Sequence, residues 1–237
     1  MKILSAMIML AAFGAAGFGG LKYFETLDGI GVGADLEGPA AGDGRISGRV
    51  LITKSTASSA RSTKGLYGKS TSRLSKSAGS DKRAVVYLSN VPGRYPAPQS
   101  RPAMRQKNIS IVPHVLPVLV GTTVDFPNDD EIYHNIFSLS SAKSFDLGRY
   151  ARGVSKSVRF SKTGEVKVFC DIHSQMSAFV LVLQNPYYAI CAADGEYVIE
   201  GIPSGTYDVI VWHESGGKQS RRVSVPGAQA QKMDFTL

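Results

Sequence analysis

From residue 45 onward apolar and polar positions alternate with period two in short runs, and the runs are bounded by Gly, Pro, Asn and Asp. That is the pattern of half-buried strands and their turns. It predicts strands over 45–52, 83–88, 109–112, 115–120, 122–126, 135–138, 155–160, 164–169, 178–183, 197–199, 206–213, 221–225 and 232–237. No stretch after residue 40 carries a helical period with caps, so the expected fold class is all-β, built from Greek-key sandwiches.

The first 44 residues follow a different rule. Met1 and Lys2 precede an apolar and small-residue run from Ile3 to Leu21, with Ala15, Ala16 and Gly17 where a signal peptidase reads. Residues 1–21 are expected to be a signal peptide or an N-terminal anchor, since about 18 residues is marginal for spanning a bilayer. Either reading implies export, to the periplasm or cell envelope. No cysteine lies near the run, which excludes a lipoprotein anchor. Residues 22–44 read as a linker. Their Gly-rich stretch at 29–33 is not a dinucleotide loop, because Leu36 stands where the third glycine belongs and no strand precedes it.

Composition changes the picture in two places. The 237 residues are 43% hydrophobic, enough to fill a core, and two cysteines exclude a disulfide scaffold. The net charge of +8 would point to nucleic acid if it covered a folded face. Instead, residues 54–83 carry eight Lys or Arg against one acid, with twelve Ser or Thr. Such a stretch buries too little apolar surface to offset the entropy of ordering, so a solvated loop is expected. A nucleic-acid partner is thereby set aside, and contact of this loop with an anionic surface stays open.

The chemistry concentrates in Cys170, His173 and Met176, a C-x-x-H-x-x-M run between two predicted strands, with His134 standing 36 residues upstream. An adjacent strand of a sandwich brings that second imidazole to the same end. Two imidazoles and a thiolate in a plane, with a distant axial thioether, make the blue-copper environment. The soft sulfur donors favour Cu(I) and the imidazoles suit Cu(II), so a rigid compromise lowers the cost of moving one electron. Zinc seldom recruits Met, and a Cys170–Cys191 disulfide would leave the His and Met spacing unexplained.

These residues resemble the cupredoxin family. His134-Asn135 followed by the short Cys170-to-Met176 loop is most similar to amicyanin and to the plastocyanin-like proteins of methylamine utilisation. The stretch Gly121-Thr122-Thr123-Val124-Asp125-Phe126-Pro127-Asn128 is similar to the family's strand before its first His. The resemblance spans Ala103 to Leu183 and implies a cupredoxin-like copper domain over 96–185. It implies that His134, Cys170 and His173 are equatorial ligands of one type 1 copper ion and Met176 the axial one. It further implies that Asn135 fixes the loop carrying Cys170, and that the edge of His173 is the electron port. Ser174 stands where relatives often have Pro.

The segment from Ala193 to Trp212 resembles a carboxypeptidase-regulatory, transthyretin-like module, whose opening strands look like Gly44–Val50 and Ala84–Leu88. Residues 45–95 and 186–237 are therefore expected to form a second, smaller, prealbumin-like β-sandwich with the copper domain inserted; a sequential layout is the alternative. The expected function is single-electron carriage between envelope redox proteins, with no substrate turnover. The alternatives are copper storage, delivery or tolerance, and a structural envelope protein with a vestigial site.

The remaining signals are bland. His213-Glu214 lacks the second His of a zinc protease, and no G-x-S-x-G elbow is present. His114 reads as a surface or packing residue and Cys191 as a buried thiol. Asp125, Asp129, Asp130 and Glu131 lack EF-hand spacing and read as a solvated turn.

Overall fold

The structure, a computed structural model, describes residues 42–53 and 83–237. The N-terminal run, the linker through residue 41 and the basic stretch 54–82 lie outside the described residues. In chain order the strands are β1 (Gly44–Leu51), β2 (Val85–Ser89), β3 (Arg105–Gln106), β4 (Ile111–Val112), β5 (Val115–Leu119) and β6 (Thr123–Pro127). There follow β7 (His134–Ser140), β8 (Lys143–Tyr150), β9 (Ser155–Arg159), β10 (Gly164–Phe169) and β11 (Ser177–Leu183). The last are β12 (Tyr188–Ile190), β13 (Glu196–Ile202), β14 (Gly205–His213), β15 (Gly217–Val225), β16 (Ala230–Lys232) and β17 (Phe235–Thr236). The described residues contain no helix, so the fold is all-β.

The middle of the chain builds one sandwich. Its larger sheet runs β5-β11-β10-β7-β8, antiparallel except that β5 lies parallel to β11. A second layer pairs β6 with β9, and the β3–β4 hairpin joins β6 through bridges from Ala103 to Asp125 and from Gln106 to Asn128. Alternation decides what enters the core. Val166 and Val168 of β10 point inward while Lys167 between them is exposed, and they meet Val124, Phe126, Ile136 and Phe160 there.

Both ends of the described chain build the second sandwich. One sheet runs β12-β2-β14-β15; the other runs β13-β1-β16, with β17 also on β1. Ile46, Val86, Leu88, Ile199, Val209 and Val211 fill its core. The pleat then explains how the two sandwiches join. Val86 and Val211 face this core, so their neighbours Val85 and Trp212, register partners on adjacent strands, face outward. They meet Val115, Leu181 and Leu183 of the first sandwich in a third apolar cluster. Strand β11 is consequently covered on both faces, which its uninterrupted run Ala178-Phe179-Val180-Leu181-Val182-Leu183 requires. The joint also carries polar contacts: the Trp212 indole N–H donates to Glu165 at 2.8 Å, and His114 meets Glu214 at 2.6 Å.

Several elements differ from the sequence reading. Strand β8 escapes it because it is a sheet edge whose alternation is broken at Gly148, in a left-handed conformation (φ 61°). The three-residue β12 is too short to show a period. Residues 232–237, expected as one strand, divide into β16 and β17, both parallel to β1. Between them the Asp234 carboxylate accepts the Arg49 backbone N–H at 2.8 Å, taking the place of a ladder bond. His114 is a packing residue, buried and within hydrogen-bond distance of Glu214. Neither Cys170 nor Cys191 is in a disulfide.

Burial pushes the Cys191 thiol up to about 11. An unfolded thiol releases its proton near the ordinary value of 9.0, the folded one only near 11, so the unfolded state holds fewer protons in that window. Stability contributed by Cys191 is therefore present below pH 9 and falls as pH rises towards 11. Correspondingly, native Cys191 should resist alkylation at pH 8 and react fully once denatured, as read by peptide mass spectrometry. Rapid modification of Cys191 in the native protein would contradict its burial.

Candidate metal centre

Strands β7 and β10 run antiparallel, with Phe137 opposite Phe169. The start of β7 and the end of β10 therefore lie at one pole of the sandwich, which brings His134 beside Cys170. His134 is fully buried and its Nδ1 lies 3.9 Å from Cys170 Sγ. The loop from Cys170 to Met176 curls back on itself through two backbone bonds, Met176 N–H to His173 O at 2.9 Å and Cys170 N–H to Met176 O at 3.2 Å. This curl sets His173 Nδ1 3.2 Å from His134 Nδ1. The ligand atoms of His134, Cys170 and His173 all lie within 4.8 Å of one another. Met176 is buried beside Cys170 in the same apolar cluster, while His173 keeps part of its surface in solvent.

Asn135 reaches across to the loop. Its side-chain oxygen accepts the Asp171 N–H at 2.7 Å, and its amide donates to Asp146 of β8 at 3.2 Å.

Asp130 is the residue that sequence reasoning missed. Expected in a solvated turn, its side chain is only 12% exposed, and one carboxylate oxygen meets His134 Nε2 at 2.9 Å. An ionised carboxylate only accepts, so Nε2 carries a proton, and the other ring nitrogen, Nδ1, is the one that faces Cys170 and His173. The spacing of four between Asp130 and His134 is the only sequence signal of this pair. Burial pushes the Asp130 carboxyl up, but bonds from the Ile109 N–H, His134 and the Asn108 N–H outweigh it and hold the group below the usual carboxylate range.

Those two N–H groups come from the β3–β4 hairpin, whose turn is closed by paired bonds between Lys107 and Ser110. Its central residues, Asn108 and Ile109, both sit at φ 54°, as a two-residue turn of this twist demands. Asn tolerates that conformation. A β-branched residue does not, and the strain at Ile109 is on the order of 1–3 kcal/mol.

The arrangement fits a small thiophilic ion. Donors held about 2.0–2.3 Å from one ion lie about 3.5–4 Å apart when spread in a plane; two of the separations here are 3.2 and 3.9 Å, and all three lie within 4.8 Å. Two imidazoles and a thiolate match copper or zinc, and a neighbouring thioether favours copper.

No family model and no curated protein matches the chain. Among solved structures it is similar to the Cu-containing nitrite reductase of Thermus scotoductus SA-01, at 23% identity over 41% of this chain and 25% of that one, with a TM-score of 0.35. This chain thus aligns with about a quarter of the reductase's length. It is also similar to a purple cupredoxin from Nitrosopumilus maritimus, at 26% identity over 35% of this chain and 99% of that one, with a TM-score of 0.32. A reduced amicyanin variant matches at 16% identity over 41% of this chain and 98% of that one, with a TM-score of 0.34.

Proposed function

We propose that the chain is a cupredoxin-type copper protein in which His134, Cys170 and His173 would hold one type 1 ion, with Met176 as the weaker fourth donor. The observation that carries this reading is the convergence within 4.8 Å of three soft and borderline donors, one from the head of β7 and two from the loop between β10 and β11. Bound there, copper supplies a one-electron couple. The protein's own part is to hold the donors still: Asp130 orients His134, Asn135 ties down the ligand loop, and the apolar cluster around Met176 excludes water.

More particularly, the protein is an exported carrier of single electrons between redox proteins of the cell envelope. With Met176 as a fourth donor beside His134, Cys170 and His173, a bound ion would keep no open position for a substrate, which favours carriage over catalysis. His173, the ligand with solvent-facing surface, is the electron port. The sandwich built from the two ends of the described chain serves as a transthyretin-like scaffold for the copper domain. The basic stretch 54–83 offers a contact to an anionic surface.

Addition of Cu(II) to the metal-free protein is expected to produce an intense visible thiolate-to-copper band, absent in Cys170→Ala. Met176→Leu should keep the band and raise the reduction potential, because a weak axial donor to Cu(II) is lost. A pale tetragonal spectrum in the parent protein would overturn the reading. Ready transfer of Cu(I) to a chelator, without reversible cycling, would replace carriage by copper delivery.

A further inference from the structure

We propose that the Asn108–Ile109 turn belongs to the redox machinery: by clamping Asp130 it fixes the ring of His134 and biases the bound ion towards its oxidised state. The proposal rests on the copper reading above.

Both carboxylate oxygens of Asp130 are engaged. Asp130 Oδ1 accepts the Asn108 N–H at 2.6 Å, and Oδ2 accepts the Ile109 N–H at 2.9 Å together with His134 Nε2 at 2.9 Å. The Asp130 backbone N–H is itself anchored to the Asn128 side chain at 2.9 Å, and Asn128 is fully buried. Successive backbone N–H groups in a turn form a concavity that receives an anion, and in this left-handed turn Asn108 and Ile109 present theirs to the Asp130 carboxylate. Ile109 is 38% exposed, so packing alone does not account for a β-branched residue held at positive φ. What this conformation accomplishes is the delivery of a donor to Asp130. A carboxylate so held cannot rotate away from the imidazole, and its negative charge, one ring removed from the ion, favours Cu(II) over Cu(I).

Three variants of the full chain separate the roles. Asp130→Asn keeps the shape but removes the charge. It should weaken Cu(II) relative to Cu(I) by about 10-fold, which is a rise of about 59 mV for a one-electron couple. Ile109→Pro removes the donor and forces φ negative, and should move the potential in the same direction. Ile109→Gly keeps the donor and relieves the strain, so the potential should stay at the parent value while thermal stability rises.

A second readout needs no copper. Nitrogen-15 spectra of the metal-free protein should show His134 as the Nε2–H tautomer in the parent and in Ile109→Gly, and as a tautomer mixture in Ile109→Pro. Potentials unchanged in both Asp130→Asn and Ile109→Pro would overturn the proposal, and Asp130→Asn decides it alone should the proline variant not fold. A parent protein that takes up no copper would sink the copper reading instead, and the tautomer spectra would still show whether the turn positions His134.

Discussion

Trp212→Ala is expected to cost ~3–5 kcal/mol of unfolding free energy, the range for removing a large buried aromatic side chain. Trp212 is 2% exposed, its ring meets Phe179 edge-on at 5.2 Å, and it stands in the cluster where the two sandwiches touch. Strand residues line the space it fills, Val85 from its own sheet and Leu181 and Leu183 from the other sandwich, so backbone pairing limits how far the cavity can close. Trp212→Phe isolates the indole bond to Glu165, a bond to a charged group worth about 1.5–3 kcal/mol. Glu165 keeps some access to water, which places the loss near the lower end. Denaturant unfolding measures both. The alanine variant should also separate one transition into two, because the shared cluster is what couples the sandwiches. A loss below about 1 kcal/mol would mean that the His114–Glu214 contact and the strand contacts hold the joint without the indole.

How far the sequence foretells this molecule depends on the range of the interaction concerned. The Cys170–Met176 loop is local, so its donor spacing is visible in seven residues. His134 becomes visible as well, because a sandwich that pairs β7 with β10 leaves few places for an imidazole at the head of a strand. Asp130 is not legible in the same way. An acid among Asp129, Asp130 and Glu131 looks solvated until the hairpin turn some twenty residues earlier is folded over it. The double role of β11 is written in its unbroken apolar run, yet the identity of what covers its outer face is not, since Trp212 lies in a distant strand that must first choose its pleat. Edge strands fare worst. Strand β8 has one face in water and a glycine in its middle, so period-two burial hardly constrains it. The break between β16 and β17 depends on a carboxylate substituting for a ladder bond, a choice that alternation does not encode.

Asn135→Ala should lower copper affinity by about 10–100-fold while costing the fold only ~1 kcal/mol. The asymmetry follows from where its two bonds lead. Asn135 is 2% exposed, and its oxygen takes the N–H of Asp171, the first residue after Cys170, at 2.7 Å. Without that acceptor the Asp171 N–H turns to water, which is close at hand because Asp171 is exposed, so the penalty for an unmade bond is small. The ligand loop, however, loses its tether to β7, the strand that carries His134. Cys170 and His173 would then sample positions relative to His134 that no longer match a single ion. The dispersion should appear as a broadened copper spectrum and a faster loss of the ion to a competing chelator. Asn135→Asp restores the acceptor but sets a second carboxylate 3.2 Å from Asp146, so it should recover only part of the affinity, and more of it at high salt, where like charges are screened. If Asn135→Ala binds copper as tightly as the parent with equally sharp spectra, the loop is held by its own Cys170–Met176 and His173–Met176 backbone bonds, and the tether contributes nothing to the metal centre.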